Sequence, residues 1–188
     1  PAVPAVPASS FTGGFTFENF EGEVGGEQIV AVKATSANYQ PHFYFTEEGL
    51  AALKAYAVAN GFDTLHILHN NSYSVEGYAI CGTRGWLFDV GEPHDEKVMN
   101  REIGRLRMSL QAAEPGLEKL VFLHYPPVYT GTSAPEIVAT LKEYSIRTCY
   151  YGHLHGNAIR YAVQGDVDGI HYKLVSADGL RFCPYRIN

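Results

Sequence analysis

Three histidines at the ends of predicted strands are the residues of this chain best suited to chemistry. His153 and His155 lie in the stretch CYYGHLHG (149–156). Residues typical of a strand are followed there by a glycine and then by two histidines that are separated by one residue. His124 follows the apolar run LEKLVFL in the same way. Imidazole is a common metal ligand, and a glycine lets the backbone pass close to a bound ion. The pattern predicts a metal site that includes all three histidines.

A β-α-β unit is expected to bring these histidines together. LEKLVFL and IRTCYY have the length and apolar character of buried strands. Between them, SAPE resembles a capping box, with Ser133 as N-cap and Glu136 as its return partner. Ile137, Val138 and Leu141 are expected to form the apolar face of the helix that follows. Strands joined in this way are parallel, with a right-handed crossover, so both histidine segments should leave the carboxyl edge of one sheet, where α/β proteins bind ligands.

The remaining segments also alternate between strand and helix patterns. Residues 1–14 include PAVPAVPASS, which is typical of a linker or tail. Residues 15–45 are rich in aromatic and β-branched side chains, and EQIVAVKA and HFYFT predict a small antiparallel β unit there. A cap at Thr46 and an Asn-Gly stop delimit a helix over about 47–59. Short strands are predicted at TLHIL and GYAICGT.

A further helix is predicted from about 96 to 113 because its apolar residues recur at steps of four and three. These residues are Met99, Ile103, Leu106, Leu110 and Ala113. The arginines of this segment mostly face away from that stripe, which is typical of a solvated face, and a phosphate-binding role is the alternative.

Composition limits the possible partners and compartments. The chain has 188 residues, 46% of them hydrophobic and 18% charged, as expected for a globular domain with or without a short appendage. Its net charge of -6 argues against binding to nucleic acid or to an anionic membrane. No apolar run is long enough to span a bilayer. Cys81, Cys149 and Cys183 are widely spaced, which predicts reduced thiols and a cytoplasmic protein.

Several blocks, taken in order, are similar to a known family. FLHYPP followed by YYGHLHG resembles the last two signature blocks of the calcineurin-like metallophosphoesterases. CGTRGW (81–86), the arginine-rich NREIGRLRMSL and the closing LVSADGLRFCPYRI are similar to one bacterial branch of that superfamily, in which the closing segment is a pair of strands. The resemblance implies that residues 46–188 are the C-terminal part of such a domain. The fold class would then be α/β, an incomplete αββα four-layer sandwich with an extra N-terminal β-rich segment.

The resemblance also implies an activity and its cofactors. The family hydrolyses phosphate esters with two divalent cations, usually Mn, Fe, Zn or Mg, about 3.5–4 Å apart. By motif position, His124 and His153 resemble ligands of one metal, and His155 resembles a ligand of the other. Arg84 of GTRGW is either a bidentate contact to the phosphate of the substrate or part of a salt bridge that fixes its loop.

The chain departs from the family's pattern in its first half. The blocks D-x-H, G-D-x-x-D and G-N-H-D/E are not present, and no aspartate precedes Asp63. Because hard cations favour carboxylate oxygens, neutral histidines alone should hold at most one metal. The chain by itself is therefore expected to be weakly active or inactive.

The missing half should also leave sheet edges open and apolar faces uncovered. Such edges favour pairing with a second copy of the chain or with a complementing chain. An alternative function is thus a non-catalytic binding or self-assembly module, in which the histidine metal site is vestigial.

Overall fold

A computed structural model describes residues 16–24, 27–36, 39–44, 47–86 and 96–187. The chain separates into two compact units, Pro1–Ile67 and Leu68–Asn188. The predicted linker at 1–14 and the predicted cap at Thr46 lie outside the described residues.

The first unit contains a β-sheet and one helix. Its strands are β1 (Thr16–Val24), β2 (Glu27–Ser36) and β3 (Tyr39–Tyr44), and they form an antiparallel sheet in that order. Helix α1 (Glu47–Ala59) is followed by Gly61, whose φ of 71° is left-handed. The Phe62 N–H donates a hydrogen bond to the Ala57 carbonyl at 2.9 Å, which caps the end of the helix. The antiparallel β unit and the helix predicted here are confirmed.

The second unit is built on a six-stranded mixed sheet in the order β10-β11-β9-β6-β5-β4. Its strands are β4 (Ser72–Val75), β5 (Tyr78–Thr83), β6 (Glu118–Leu123), β9 (Thr148–Tyr151), β10 (Gly165–Val167) and β11 (Ile170–Leu174). The four central strands are parallel, and the outer strands β10 and β4 are antiparallel to their neighbours. Two short strands, β7 (Val128–Tyr129) and β8 (Thr132–Ser133), form a separate hairpin. The predicted α/β class is confirmed at this level.

The second unit also contains two α-helices. Helix α2 (Glu96–Gln111) buries Met99, Leu106 and Leu110, while Ile103 is partly buried, so the predicted apolar stripe is confirmed. Helix α3 (Pro135–Glu143) lies between β6 and β9 in the chain and buries Ile137 and Leu141, with Val138 half-buried. None of the helices that the structure describes combines the length and the apolar character needed to cross a membrane.

Two strand predictions were wrong. TLHIL at 64–68 forms no strand. The strand that pairs with the outer side of β5 is β4. Glu76 and Gly77, which both have positive φ, join β4 to β5 in a tight hairpin. The closing segment also forms no strand pair. After β11 the chain makes helical-type turns, in which the Leu180 N–H bonds to the Ser176 carbonyl at 2.9 Å. These local bonds use backbone groups that a strand pair would need.

The capping box predicted at SAPE is also wrong. The N-cap of α3 is Ala134, with no side-chain cap, and Pro135 begins the helix. Ser133 instead ends β8 and pairs with Val128 across the hairpin. A proline in the first helical turn needs no N–H partner, which reduces the value of a side-chain cap.

Replacing Ser133 by alanine should therefore change stability very little. We expect the free energy of unfolding to change by less than about 0.5 kcal/mol, as for an ordinary surface substitution, whereas loss of a working N-cap typically costs about 1 kcal/mol. Urea unfolding of both proteins measures the difference. A loss of 1 kcal/mol or more would show that Ser133 does cap the helix.

The three cysteines are free, as predicted, but they differ in accessibility. Cys81 and Cys149 are buried, and desolvation raises the pKa of both thiols, while Cys183 is exposed. Since the thiolate is the reactive form, iodoacetamide should modify Cys183 in the folded protein and reach the other two only after unfolding. Mass spectrometry of the alkylated chain distinguishes these outcomes. Rapid modification of Cys149 under native conditions would contradict the burial of this thiol.

Candidate functional site

The carboxyl ends of β6 and β9 bring two of the predicted site segments together. These strands are parallel, and their last residues, Leu123 and Tyr151, are register partners. Just beyond them, the Gly152 N–H lies 3.2 Å from the carbonyl oxygens of both Leu123 and His124. The β-α-β prediction is thus confirmed in its strand order and direction. A Cβ at position 152 would lie 3.7 Å from the His124 carbonyl oxygen, an ordinary contact, so glycine is not sterically required there.

His124 and His153 face each other across this edge. Nε2 of His124 lies 3.2 Å from Nδ1 of His153. The backbone of His153 has a φ of 67°, and the Leu154 N–H bonds to the Gly152 carbonyl at 2.8 Å around it. This is a tight three-residue turn of a strained kind, and such a conformation typically costs about 1–3 kcal/mol. Local strain of this kind is common at functional sites.

The separation of these two nitrogens fits metal ligation. Zinc binds imidazole nitrogen at about 2.0–2.1 Å. Two such bonds whose nitrogens are 3.2 Å apart meet at an angle of about 100°. That angle is close to the tetrahedral value, so the separation is compatible with a common ion, whose binding would replace the hydrogen bond between the two rings.

His155 has a different partner. Its Nδ1 lies 2.8 Å from Oδ1 of Asp178, a residue in the turn after β11. The same carboxylate accepts hydrogen bonds from the backbone N–H groups of Gly156, at 2.8 Å, and Gly179, at 3.0 Å. These bonds, that of Gly156 above all, lower the pKa of Asp178 to about 2.

Asp178 was not predicted as a site residue, because the closing segment that contains it resembles a pair of strands. The usable signal was the Asp-Gly pair that follows a strand of the sheet. Strand β11 is parallel to β9, so its end reaches the same edge as the histidine turn.

The predicted histidines thus fall into two groups. His124 and His153 are adjacent, and His155 is paired with Asp178. Within the described ranges, no group of three or more His, Cys, Asp or Glu side chains is arranged to hold a metal ion. A ligand set that includes all three histidines therefore stays a prediction.

Arg84 takes part in a buried ionic cluster. Its Nη2 donates to Oε1 of Glu102 at 2.9 Å, and Nη1 of Arg105 donates to the same oxygen at 2.8 Å. The Glu102 side chain is fully buried, while those of Arg84 and Arg105 are 41% and 31% exposed. The predicted salt bridge of Arg84 is therefore confirmed, and a contact of its exposed part with a phosphate stays a prediction. Of the arginines on α2, Arg101 and Arg107 are exposed, as expected for a solvated face, whereas Arg105 is partly buried and paired with Glu102.

Arg84 also connects this cluster to the histidine edge. Its carbonyl oxygen accepts hydrogen bonds from the backbone N–H groups of His124, at 3.0 Å, and Tyr125, at 2.9 Å. Its guanidinium lies 4.9 Å from the ring centre of Trp86, which packs against Tyr125. The Tyr125 ring in turn lies 4.4 Å from that of His153. Arg84 thus connects Glu102 to the His124 and His153 segment in two ways, through its own backbone carbonyl and through the packed rings of Trp86 and Tyr125.

Comparison with known proteins does not identify this site. No protein-family model, no curated protein and no solved structure matches the chain. The family resemblance of the sequence blocks accordingly stays a prediction.

Proposed function

We propose that this chain carries the histidine side of a metal-dependent phosphoesterase site, in an incomplete αββα sandwich of the calcineurin-like type. The observation that carries the proposal is the 3.2 Å separation of the His124 and His153 nitrogens at the ends of neighbouring parallel strands. Nitrogen donors at this spacing suit Zn²⁺ and similar borderline ions better than Mg²⁺.

Each nearby residue has a role that its contacts support. A divalent cation bound here would polarise a phosphoryl oxygen of a phosphate ester and lower the pKa of a water molecule. His124 and His153 would provide the lone pairs that hold it. The partly exposed Arg84 guanidinium, fixed by Glu102, presents N–H groups that match phosphate oxygens. Tyr125 packs against both imidazoles.

The shortage of free carboxylates favours weak activity or none for the chain alone. Asp178 is bonded to His155 and to the backbone, and no group of three or more His, Cys, Asp or Glu side chains among the described residues is arranged to hold a metal ion. We therefore expect no more than one cation per chain and no efficient two-metal hydrolysis.

Metal analysis combined with an activity assay tests this function. Purified protein would be titrated with Zn²⁺ and assayed on an aryl phosphate with added Mn²⁺. We expect stoichiometric Zn²⁺ binding and, at most, slow hydrolysis that depends on the metal. Hydrolysis that survives His153→Ala, or no Zn²⁺ binding at all, would remove the proposal.

A second candidate function, self-assembly, is favoured by the sheet edges. In the part of the chain that the structure describes, β4 and β10 end the six-stranded sheet and pair on one side only. Such edges can pair with a second copy or with a complementing chain. Sedimentation analysis separates the candidates, because a monomer that binds Zn²⁺ stoichiometrically fits the first and an oligomer without metal fits the second.

A further inference from the structure

Asp178 is held in one orientation by bonds to two loops. Oδ2 accepts the Gly156 N–H at 2.8 Å, while Oδ1 accepts the Gly179 N–H at 3.0 Å and faces Nδ1 of His155 at 2.8 Å. Backbone donors on both oxygens keep the carboxylate from rotating. Because these donors are backbone N–H groups, the carboxylate acts toward them only as an acceptor.

This arrangement determines which imidazole nitrogen of His155 carries a proton. An ionised carboxylate can only accept hydrogen bonds, so Nδ1 of His155 must be the donor. In the neutral ring the lone pair is then on Nε2. The His155 side chain is 63% exposed, so Nε2 can be reached from outside.

A second histidine–aspartate pair in the same unit lacks this backbone support. Nδ1 of His171 lies 2.9 Å from Oδ1 of Asp166, and the two residues are cross-strand partners in the β10–β11 hairpin. Among the described residues, Asp166 accepts a hydrogen bond from His171 alone, and its side chain is 85% exposed. Asp166 and His171 therefore serve as a matched control for Asp178 and His155.

We propose that Asp178 is a positioning residue that holds His155 in the Nδ1–H tautomer and presents Nε2 as a ligand for a divalent cation. The proposal rests on the proposed function, because the cation is the single one proposed for His124 and His153, with Nε2 of His155 as a further ligand. Metal-binding histidines commonly donate their other ring N–H to a carboxylate, and loss of that carboxylate typically lowers metal affinity by about 10–100-fold.

Imidazole ¹⁵N spectra of the metal-free chain test the tautomer. At about pH 9, where an ordinary imidazole is neutral, His155 should show the Nδ1–H pattern in the wild-type protein. Asp178→Asn should shift His155 toward the Nε2–H form, because an amide can donate to Nδ1 as well as accept from it. An Nε2–H tautomer in the wild type overturns the proposal, and this measurement does not depend on whether the variant folds.

Zn²⁺ titration of the same proteins tests the consequence for binding. Asp178→Asn should weaken Zn²⁺ binding by about 10–100-fold, and Asp166→Asn should leave it unchanged. Wild-type affinity in Asp178→Asn, or an equal loss in Asp166→Asn, overturns the positioning role. If Zn²⁺ binding is instead insensitive to His124→Ala and His153→Ala while His155 keeps the Nδ1–H tautomer, the proposed function fails and the orientation of His155 by Asp178 remains.

Discussion

Replacing both Arg84 and Arg105 by alanine is expected to lower the free energy of unfolding by about 3–5 kcal/mol. Both guanidinium groups bond to one oxygen of Glu102, whose side chain is fully buried. Without them the carboxylate would be an uncompensated buried charge. Either single replacement leaves the other arginine in place, so each should cost less than half of the total, and the double variant should exceed their sum.

Urea unfolding of the single and double variants measures this coupling, with Arg107→Ala as the control. Arg107 bonds to Glu143 at 2.7 Å, but both side chains are about half exposed, so its loss should cost less than about 1 kcal/mol. If the double variant proves no less stable than Arg107→Ala, Glu102 does not depend on its two arginines.

Replacing His153 by alanine is expected to reduce Zn²⁺ affinity by more than about 100-fold, beyond the range that second-shell partners typically show. The substitution removes one of the two nitrogens that lie 3.2 Å apart and on which the proposed cation site depends. Isothermal titration with Zn²⁺ measures the change. His171→Ala, which removes an imidazole from the β10–β11 hairpin, should bind as the wild type does.

A glycine variant separates lost binding from lost folding. His153 has a φ of 67°, a conformation that glycine adopts without strain. His153→Gly should therefore be at least as stable as His153→Ala, while losing Zn²⁺ affinity to the same extent. Affinity near the wild-type value in the glycine variant would show that the imidazole is not a ligand.

The sequence predicted those parts of the site that depend on regular periodicity. Apolar runs located β6 and β9, and the rule that a helical crossover joins parallel strands placed His124 beside the turn that contains His153. The stripe on α2 was predicted in the same way.

Side-chain partners that are distant in sequence could not be predicted from such patterns. Glu102 lies on α2 among charged residues, and only the packed helix shows that it is buried between two arginines. Asp178 is 23 positions from His155, and it meets that residue only because β11 lies beside β9. Serine is a common N-cap residue, but Ser133 pairs with Val128 in the β7–β8 hairpin and lies one residue before the N-cap, Ala134.

The parallel pairing of β6 with β9 would make the proposed cation binding dependent on folding. His124 and His153 are 29 positions apart, so their nitrogens meet only when both strands and the intervening helix are in place. An unfolded chain offers no such pair, and a cation that binds only the native state stabilises it by mass action. The thermal stability of this protein would therefore rise with free zinc concentration, and the midpoint of unfolding would itself report on the occupancy of the histidine pair.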